Sequence, residues 1–250
     1  NVNKWLLVPY LLWMVIFIII PVILLVYFSF IDIYGHFSFT NYEQVFSTRY
    51  LKMFIDSIWY AALITMITLV ISYPAAYFIS YSRFQNILLM LLIIPTWINL
   101  LLKTYAFIGL LGHDGFINQA LHVFQIPKLN LLFTSGAFLL VASYIYIPFM
   151  ILPIFNSMKA IPNNILQASN DLGASTFTTF RKVIVPLTRE GIKTGVQVTG
   201  NKVINVGTAI EEQFLTIQNY GLGSTIALFL IIFMAFLLII TKSKSSNGKG

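Results

Sequence analysis

Apolar residues in this chain occur in long, nearly unbroken runs rather than in the one-sided stripes of soluble helices and strands. Five runs approach or exceed the roughly 20 residues that a helix needs to cross the hydrocarbon core of a bilayer. They cover residues 6–28, 57–81, 86–111, 131–155 and 222–240. The pattern predicts an all-α fold, a polytopic membrane helical bundle that forms a single transmembrane domain over residues 1–250.

The first run follows Lys4 and therefore resembles the start of a signal peptide. It is longer than the roughly 7–15 apolar residues of such a peptide and contains Pro21. No small-residue cleavage site precedes Asp32. We therefore interpret this run as a retained first span.

Composition supports the membrane interpretation and excludes other classes of protein. Hydrophobic residues make up 58% of the chain and charged residues 9%, whereas a soluble domain carries about 25% charged residues. The net charge of +7 does not indicate nucleic-acid binding, because the basic residues lie beside apolar runs and not in a cluster with interleaved aromatics. With no cysteine, the chain has neither a disulfide framework nor a thiolate nucleophile.

Basic residues in the short loops predict the orientation of the spans. Lys4, Arg83 and the five basic residues between positions 156 and 193 share one side if the N-terminus is cytoplasmic. The segments 29–56 and 112–130 then face outward, with three basic residues against four acids. The bias predicts a multi-pass membrane protein with a cytoplasmic N-terminus.

The number of runs contradicts this orientation. A fifth crossing puts the C-terminal tail outside, yet the tail carries Lys242, Lys244 and Lys249. The weak stretch 192–199 is too short to cross, and it enters the polar turn Gly200-Asn201-Lys202. We hypothesise that a segment is missing after Thr199, so that six spans are expected with five visible and both termini cytoplasmic.

The loop over about residues 156–190 is predicted to be helix, break, helix. Pro162 suits the first turn of a helix, and Gly173 suits the left-handed position that ends one. Ser175 is a candidate cap for a second helix, which Pro186 is predicted to stop.

Both predicted helices of the loop are amphipathic. Helical spacing groups Ile165, Ala168, Ser169 and Leu172 on one face of the first helix, with Gln167, Asn170 and Asp171 on the other, and groups Phe177, Phe180 and Ile184 on the second helix. Such helices either lie on the membrane surface or dock on a partner. Periodicity alone leaves both alternatives open.

The same loop resembles a known family. Gln167-Ala168-Ser169-x-Asp171-Leu172-Gly173-Ala174, followed by Ile184-x-Pro186-Leu187, is similar to the EAA loop of ABC importer permeases. Gln167 departs from the usual Glu and Ser169 from a frequent Ala. Similarities also cover residues 72–77, 94–97, 103–106 and 206–214, and together they most resemble the PotB-type permeases of spermidine/putrescine importers.

The resemblance implies a fold, a mechanism and a set of partners. It implies the type I ABC importer permease fold, whose fifth span corresponds to the part that this chain lacks. It also implies coupling to a separate ATPase dimer (PotA-like), which would bind the ATP and Mg, a second permease subunit (PotC-like) and an extracytoplasmic binding protein (PotD-like). The coupling residues would be Gln167, Ala168, Ser169, Asp171, Leu172, Gly173, Ala174, Phe177, Phe180 and Arg181.

The chain itself is predicted not to be an enzyme. No GxxxxGK[ST] phosphate-binding loop occurs, and no serine or threonine has a recognisable histidine and acid arrangement. The three histidines are scattered without metal-ligand spacing, so no metal site or other cofactor is predicted in this chain. We expect lipid and protein partners, not nucleic acid.

Candidate pathway residues follow from the chemistry of a polyamine, which binds through carboxylates and aromatic faces. Glu211 and Glu212 either are solvated loop charges or contact the substrate or the binding protein. Trp97, Asn99 and Tyr105 break an apolar run near Pro95, and they line the pathway or pack in the core. Lys103 is an ionisable residue within a run, and such residues tend to be functional. It lines the pathway, pairs with an acid of a partner permease, or extends to the outer headgroups.

Two other functions stay open at the sequence level. A secondary transporter or channel working without ATP would show an internal repeat and charges within the spans, where only Lys103 qualifies. An ABC permease for another small solute, such as a phosphonate, ferric iron or thiamine, would share the loop and differ in its binding protein.

Overall fold

The computed structural model describes residues 7–200 and 204–246 of the chain, and helices connected by turns account for nearly all of this part. We number the helices α1 to α12 in chain order. They are α1 (Val8–Ser29), α2 (Thr40–Val45), α3 (Thr48–Tyr81), α4 (Gln85–Ile93), α5 (Leu100–Leu111), α6 (Phe116–Val123), α7 (Ser135–Lys159), α8 (Asn163–Asp171), α9 (176–187), α10 (Arg189–Gly200), α11 (Ile204–Glu211) and α12 (Tyr220–Ser246).

Four helical stretches in the described residues are long and apolar enough to cross a membrane: Val8–Ser29, Thr48–Tyr81, Leu100–Val123 and Ser135–Lys159. Gln85–Trp97 and Tyr220–Phe236 are shorter apolar helices. These confirm the predicted polytopic helical bundle. The predicted runs 6–28, 57–81 and 131–155 fall on α1, α3 and α7, and the run 222–240 falls within α12.

The third predicted run, 86–111, is not one continuous helix. α4 ends at Ile93, a 3₁₀ turn covers Ile94–Trp97, and Ile98 and Asn99 are extended before α5 begins at Leu100. Pro95 has no backbone N–H for an α-helical bond, and Asn99 caps the new helix through its side chain. The break therefore has a local cause on each side.

The chain divides into two compact units, one made of residues 1–59 and 203–250 and the other of residues 60–202, with α3 running through both. In the first unit, α2, the start of α3, α11 and α12 contribute the buried side chains of Val45, Tyr50, Val206, Leu222 and Ile226. Asn41 is buried there and donates hydrogen bonds to the carbonyls of Ser29 and Ile31. This contact fixes the end of α1.

The second unit has its core on α3, α7 and the loop that follows α7. Its buried side chains include Ala76, Met150, Ile154, Phe155 and Ile184. α10 packs closely along α7, because its glycines leave room for the α7 backbone. The loop after α7 is therefore held in place by apolar contacts within the second unit.

The stretch predicted to be too short to cross is the 12-residue helix α10. At 1.5 Å per residue it extends about 18 Å, well short of the hydrocarbon core. Gly200 is its last residue, whereas Asn201 and Lys202 of the predicted turn lie outside the described residues. Lys4 and Lys249 also lie outside them.

Candidate functional site: the loop after α7 and the broken membrane helix

The break between α8 and α9 depends on a left-handed glycine. Gly173 has a φ of +73°. Its N–H donates to the carbonyl of Asn170 at 2.8 Å, and the N–H of Ala174 donates to the carbonyl of Ser169 at 3.1 Å. These bonds satisfy the last carbonyls of α8 and confirm the predicted helix end. Pro162, predicted in the first turn, instead precedes α8 as an extended cap residue.

The second helix of the loop begins as predicted but does not end as predicted. Ser175 Oγ accepts a hydrogen bond from the N–H of Thr178 at 3.2 Å. The prediction that Pro186 stops the helix is wrong, because α9 runs through it to Leu187. A π turn over Phe180–Ile184 precedes the proline, and the N–H of Val185 reaches back to the carbonyl of Phe180. The wider turn accommodates a residue that lacks an N–H.

The inner face of the loop is anchored to the rest of its unit. Leu166 packs against the core of the second unit. The hydroxyls of Ser169 and Thr179 are buried and hydrogen-bonded to each other at 2.9 Å, which joins α8 to α9. The ring of Phe180 lies edge-on to Tyr73 and Tyr77 of α3, with centroid distances of 5.6 and 5.3 Å. The two helices are thereby held as one rigid element.

The predicted apolar face of α8 is wrong. Leu166 and Ser169 face the core, whereas Ala168 is exposed and Leu172 is 88% exposed. Leu172 lies at the C-cap, where the helical periodicity no longer holds. On α9, Phe177 is 70% exposed, so of the predicted set only Phe180 and Ile184 pack inward. Two large apolar side chains therefore flank the Gly173 turn on its outer side.

Exposed polar side chains neighbour these two apolar residues along α8 and α9. Gln167, Asn170, Asp171 and Arg181 are all exposed, and no hydrogen bond or ion pair joins their side chains within the described part of the chain. An apolar centre with a polar rim is the usual composition of a protein docking surface. We call Gln167, Asp171, Leu172, Phe177 and Arg181 the coupling surface.

The broken helix between α4 and α5 contains the other predicted site residues. Asn99 Oδ1 accepts a hydrogen bond from the N–H of Leu101 at 2.8 Å, so this side chain is a helix cap. Trp97 is 83% exposed and Tyr105 is 70% exposed, which excludes the core packing that the sequence left open. Lys103 is half-buried.

A small cavity lies beside the break. It has a volume of about 120 Å³ and is lined mainly by apolar atoms, with Pro95, Thr96, Lys103, Tyr144 and Pro148 among its walls. Of the predicted pathway residues, only Lys103 lines it. Sequence reasoning missed Tyr144 and Thr96, because nothing in their spacing relates α7 to the break.

The two predicted glutamates differ in their surroundings. Glu212 lines an open groove of about 370 Å³ in the first unit, together with Arg49, Lys52 and Asp56 of α3. Glu211 is exposed and does not line it. The spacing of positions 49, 52 and 56 on one helix face was a signal for this grouping. Among the described residues, no group of three His, Cys, Asp or Glu side chains is placed to hold a metal ion.

No family model matches the chain, but curated relatives do. The spermidine/putrescine transport system permease protein PotB of Haemophilus influenzae is 31% identical over 253 residues, which cover 91% of this chain and 88% of the relative. The chain belongs to the PotB-type permease family. PotB of Escherichia coli K12 is 29% identical, with 91% of this chain and 92% of the relative covered. A PotB homolog of Mycoplasma genitalium is 32% identical, with 78% and 68% covered.

The alignment with the Haemophilus PotB is longer than this chain. It extends over 253 positions but contains only 91% of the 250 residues here. About 25 positions of the relative within the alignment therefore have no counterpart in this PotB-type permease.

Solved structures share the fold of this PotB-type permease. A chain of a bacterial ABC transporter involved in the import of the acidic polysaccharide alginate superposes with a TM-score of 0.86 at 13% identity, covering 99% of this chain and 96% of that one. The alginate ABC transporter in complex with a periplasmic protein gives a TM-score of 0.83, covering 95% and 91%. At this identity the match establishes the ABC importer permease fold.

Proposed function

We propose that this permease forms the membrane pathway of an ATP-driven importer for spermidine and putrescine, powered by a separate ATPase dimer that docks on the coupling surface. The observation that carries the proposal is the loop itself: a rigid pair of helices that exposes Leu172 and Phe177 beside the Gly173 turn. Nothing else in the described part of the unit covers these side chains. Exposed apolar side chains of this size mark interaction sites, because docking of a partner removes them from water.

The construction of the loop suits the transmission of movement. Because Ser169 bonds to Thr179 and Phe180 packs on Tyr73 and Tyr77, movement of α8 would act on α9 and, through it, on α3. Closure of two ATPase subunits would therefore shift a membrane helix as well as the loop. The spans would then rock between inward and outward openings. ATP and Mg would be bound by the partner, and this chain would supply no catalytic group.

The location and the other partners complete the proposal. The chain would lie in the bacterial inner membrane with both termini cytoplasmic. A second permease subunit would close the pathway, and a substrate-binding protein would deliver the polyamine on the outer side. The PotB relatives carry spermidine/putrescine transport in their names, which is the basis for the substrate class proposed here.

A sixth span belongs to the proposal as well. α10 is too short to cross, and about 25 positions of a PotB relative lack a counterpart here. We place the missing segment after Thr199. An intact chain would then have the parity that a cytoplasmic C-terminal tail requires.

The pathway residues are proposed from their exposure. Trp97 and Tyr105 flank the break as exposed aromatics, and Lys103 lines the cavity beside it. Lys103 would repel a polyamine and therefore suits a carboxylate of the partner permease better than the substrate. Glu212 and Asp56, in the groove of the first unit, would meet either the cation or the binding protein. Glu211 would contact the binding protein outside the groove.

The docking proposal is tested by co-purification with the ATPase of the same importer. Phe177→Asp places a charge at the centre of the coupling surface and should abolish retention of the ATPase. Phe124→Asp is the matched control, because Phe124 is equally exposed, at 75%, but lies in the loop after α6. It should retain the ATPase as wild type does. If wild type itself retains no ATPase, the proposal is wrong.

Substrate class is tested separately in proteoliposomes that hold the complete transporter. ATP-dependent uptake of labelled spermidine should be competed by unlabelled putrescine and not by phosphonate, ferric iron or thiamine. Uptake that continues without ATP would instead indicate a secondary transporter.

A further inference from the structure

The segment between α1 and α2 is a short hairpin with a fixed shape. Ile31 and Phe37 form an antiparallel bridge. The carboxylate of Asp32 accepts hydrogen bonds from the N–H groups of Tyr34 at 2.9 Å and His36 at 2.8 Å. Gly35 provides the turn with a φ of +84°. We call residues 30–39 the aromatic hairpin.

The hairpin holds its aromatic rings at the surface. Phe30 and Phe37 are stacked with centroids 5.5 Å apart, and Phe39 lies edge-on to both at 5.7 Å. Phe37 is nevertheless 70% exposed, and Phe39, Ile33 and Tyr34 are also exposed. The ring contacts therefore organise an exposed apolar surface instead of burying it. Such a surface needs a non-aqueous environment.

Its position along the chain points to lipid. The hairpin begins one residue after Ser29, where α1 ends. α1 exposes apolar side chains along its whole length, among them Ile23. A hairpin attached to the end of such a span lies at the boundary between hydrocarbon and water. Aromatic rings, those of tyrosine in particular, favour this zone.

The low number of charges in the hairpin argues against a protein partner. Asp32 and His36 are its only ionisable side chains other than Tyr34. With one carboxylate and one imidazole, the hairpin offers few charged groups to match those of a docking protein, and Asp32 Oδ1 already accepts two backbone N–H groups. We propose that the aromatic hairpin inserts Phe37, Phe39, Ile33 and Tyr34 into the headgroup region of the leaflet at the C-terminal end of α1. It thereby fixes the depth of α1 in the membrane.

The chain contains no cysteine, which allows single nitroxide labels to be introduced without removing native thiols. Phe37→Cys and Ile33→Cys place the label on the hairpin, and Ile33 makes no ring contact that the substitution would break. Ile23→Cys, on the exposed side of α1, is the lipid reference. Glu43→Cys, an exposed charged position on α2, is the water reference.

Collision rates with oxygen, which concentrates in lipid, and with a water-soluble nickel chelate are measured for each label. The permease is reconstituted in lipid nanodiscs together with the subunits that co-purify with it. Both hairpin labels should give an oxygen-to-nickel ratio severalfold above that of Glu43 and below that of Ile23. A ratio equal to that of Glu43 would mean that the hairpin lies in water. Protection of both labels from both reagents would mean that protein covers it. Either result overturns the proposal.

Discussion

The role of Gly173 comes entirely from its backbone. A Cβ at this position would meet open space, with no other atom within 4 Å, but the left-handed conformation costs other residues about 1–2 kcal/mol. Gly173→Ala should therefore loosen the end of α8 and speed hydrogen exchange at the Ala174 amide by about tenfold. Gly136→Ala, a glycine with negative φ near the start of α7, is the control. Equal exchange in both variants would show that the turn does not depend on the glycine.

At the scale of elements, the contact of α7 with α10 depends on small residues one turn apart. A Cβ on Gly191 would collide with the side chain of Ser157 and lie 2.5 Å from the carbonyl oxygen of Pro153. A Cβ on Gly195 would lie 2.5 Å from Met150 Sδ. Gly191→Ala should therefore force the helices apart and destabilise the protein by about 1–3 kcal/mol, measured as a lower thermal unfolding midpoint.

Gly109→Ala is the matched control, because Gly109 is also within a helix but a Cβ there meets nothing within 4 Å. This change should be neutral or stabilising by up to about 1 kcal/mol, since alanine is the better helix former. If both variants unfold at the same temperature, close packing of α10 does not contribute to stability.

At the scale of the whole molecule, the basic residues of the loops predict how the spans are oriented in the membrane. Single cysteines at Ser82, after α3, and at Lys128, after α6, should lie on opposite sides of the membrane. In intact cells a membrane-impermeant maleimide should label Lys128→Cys and not Ser82→Cys until the membrane is opened. The reverse pattern would contradict the orientation drawn from the basic residues.

Several features followed directly from the sequence, for identifiable reasons. Run length is set by bilayer thickness, so α1, α3 and α7 were predictable from hydropathy. The end of α8 was predictable because Gly173 and Ser175 act through local backbone geometry. The same local reasoning failed at Pro186, where a π turn of α9 accommodates the proline. It failed again for the faces of α8, because rotation of a helix about its axis depends on its neighbours.

What the sequence determined by itself about this PotB-type permease was the membrane class, the end of α8 at Gly173 with the cap of α9 at Ser175, and the family, since these depend on composition, local geometry and motif. What only the tertiary structure decided was which side chains face outward. Leu172 and Phe177 are exposed because Ser169, Thr179 and Phe180 take the inner positions. Glu212 joins Arg49 and Asp56, which are distant in sequence, in one groove of the first unit. Such long-range contacts are fixed by packing of the whole unit, and no local pattern encodes them.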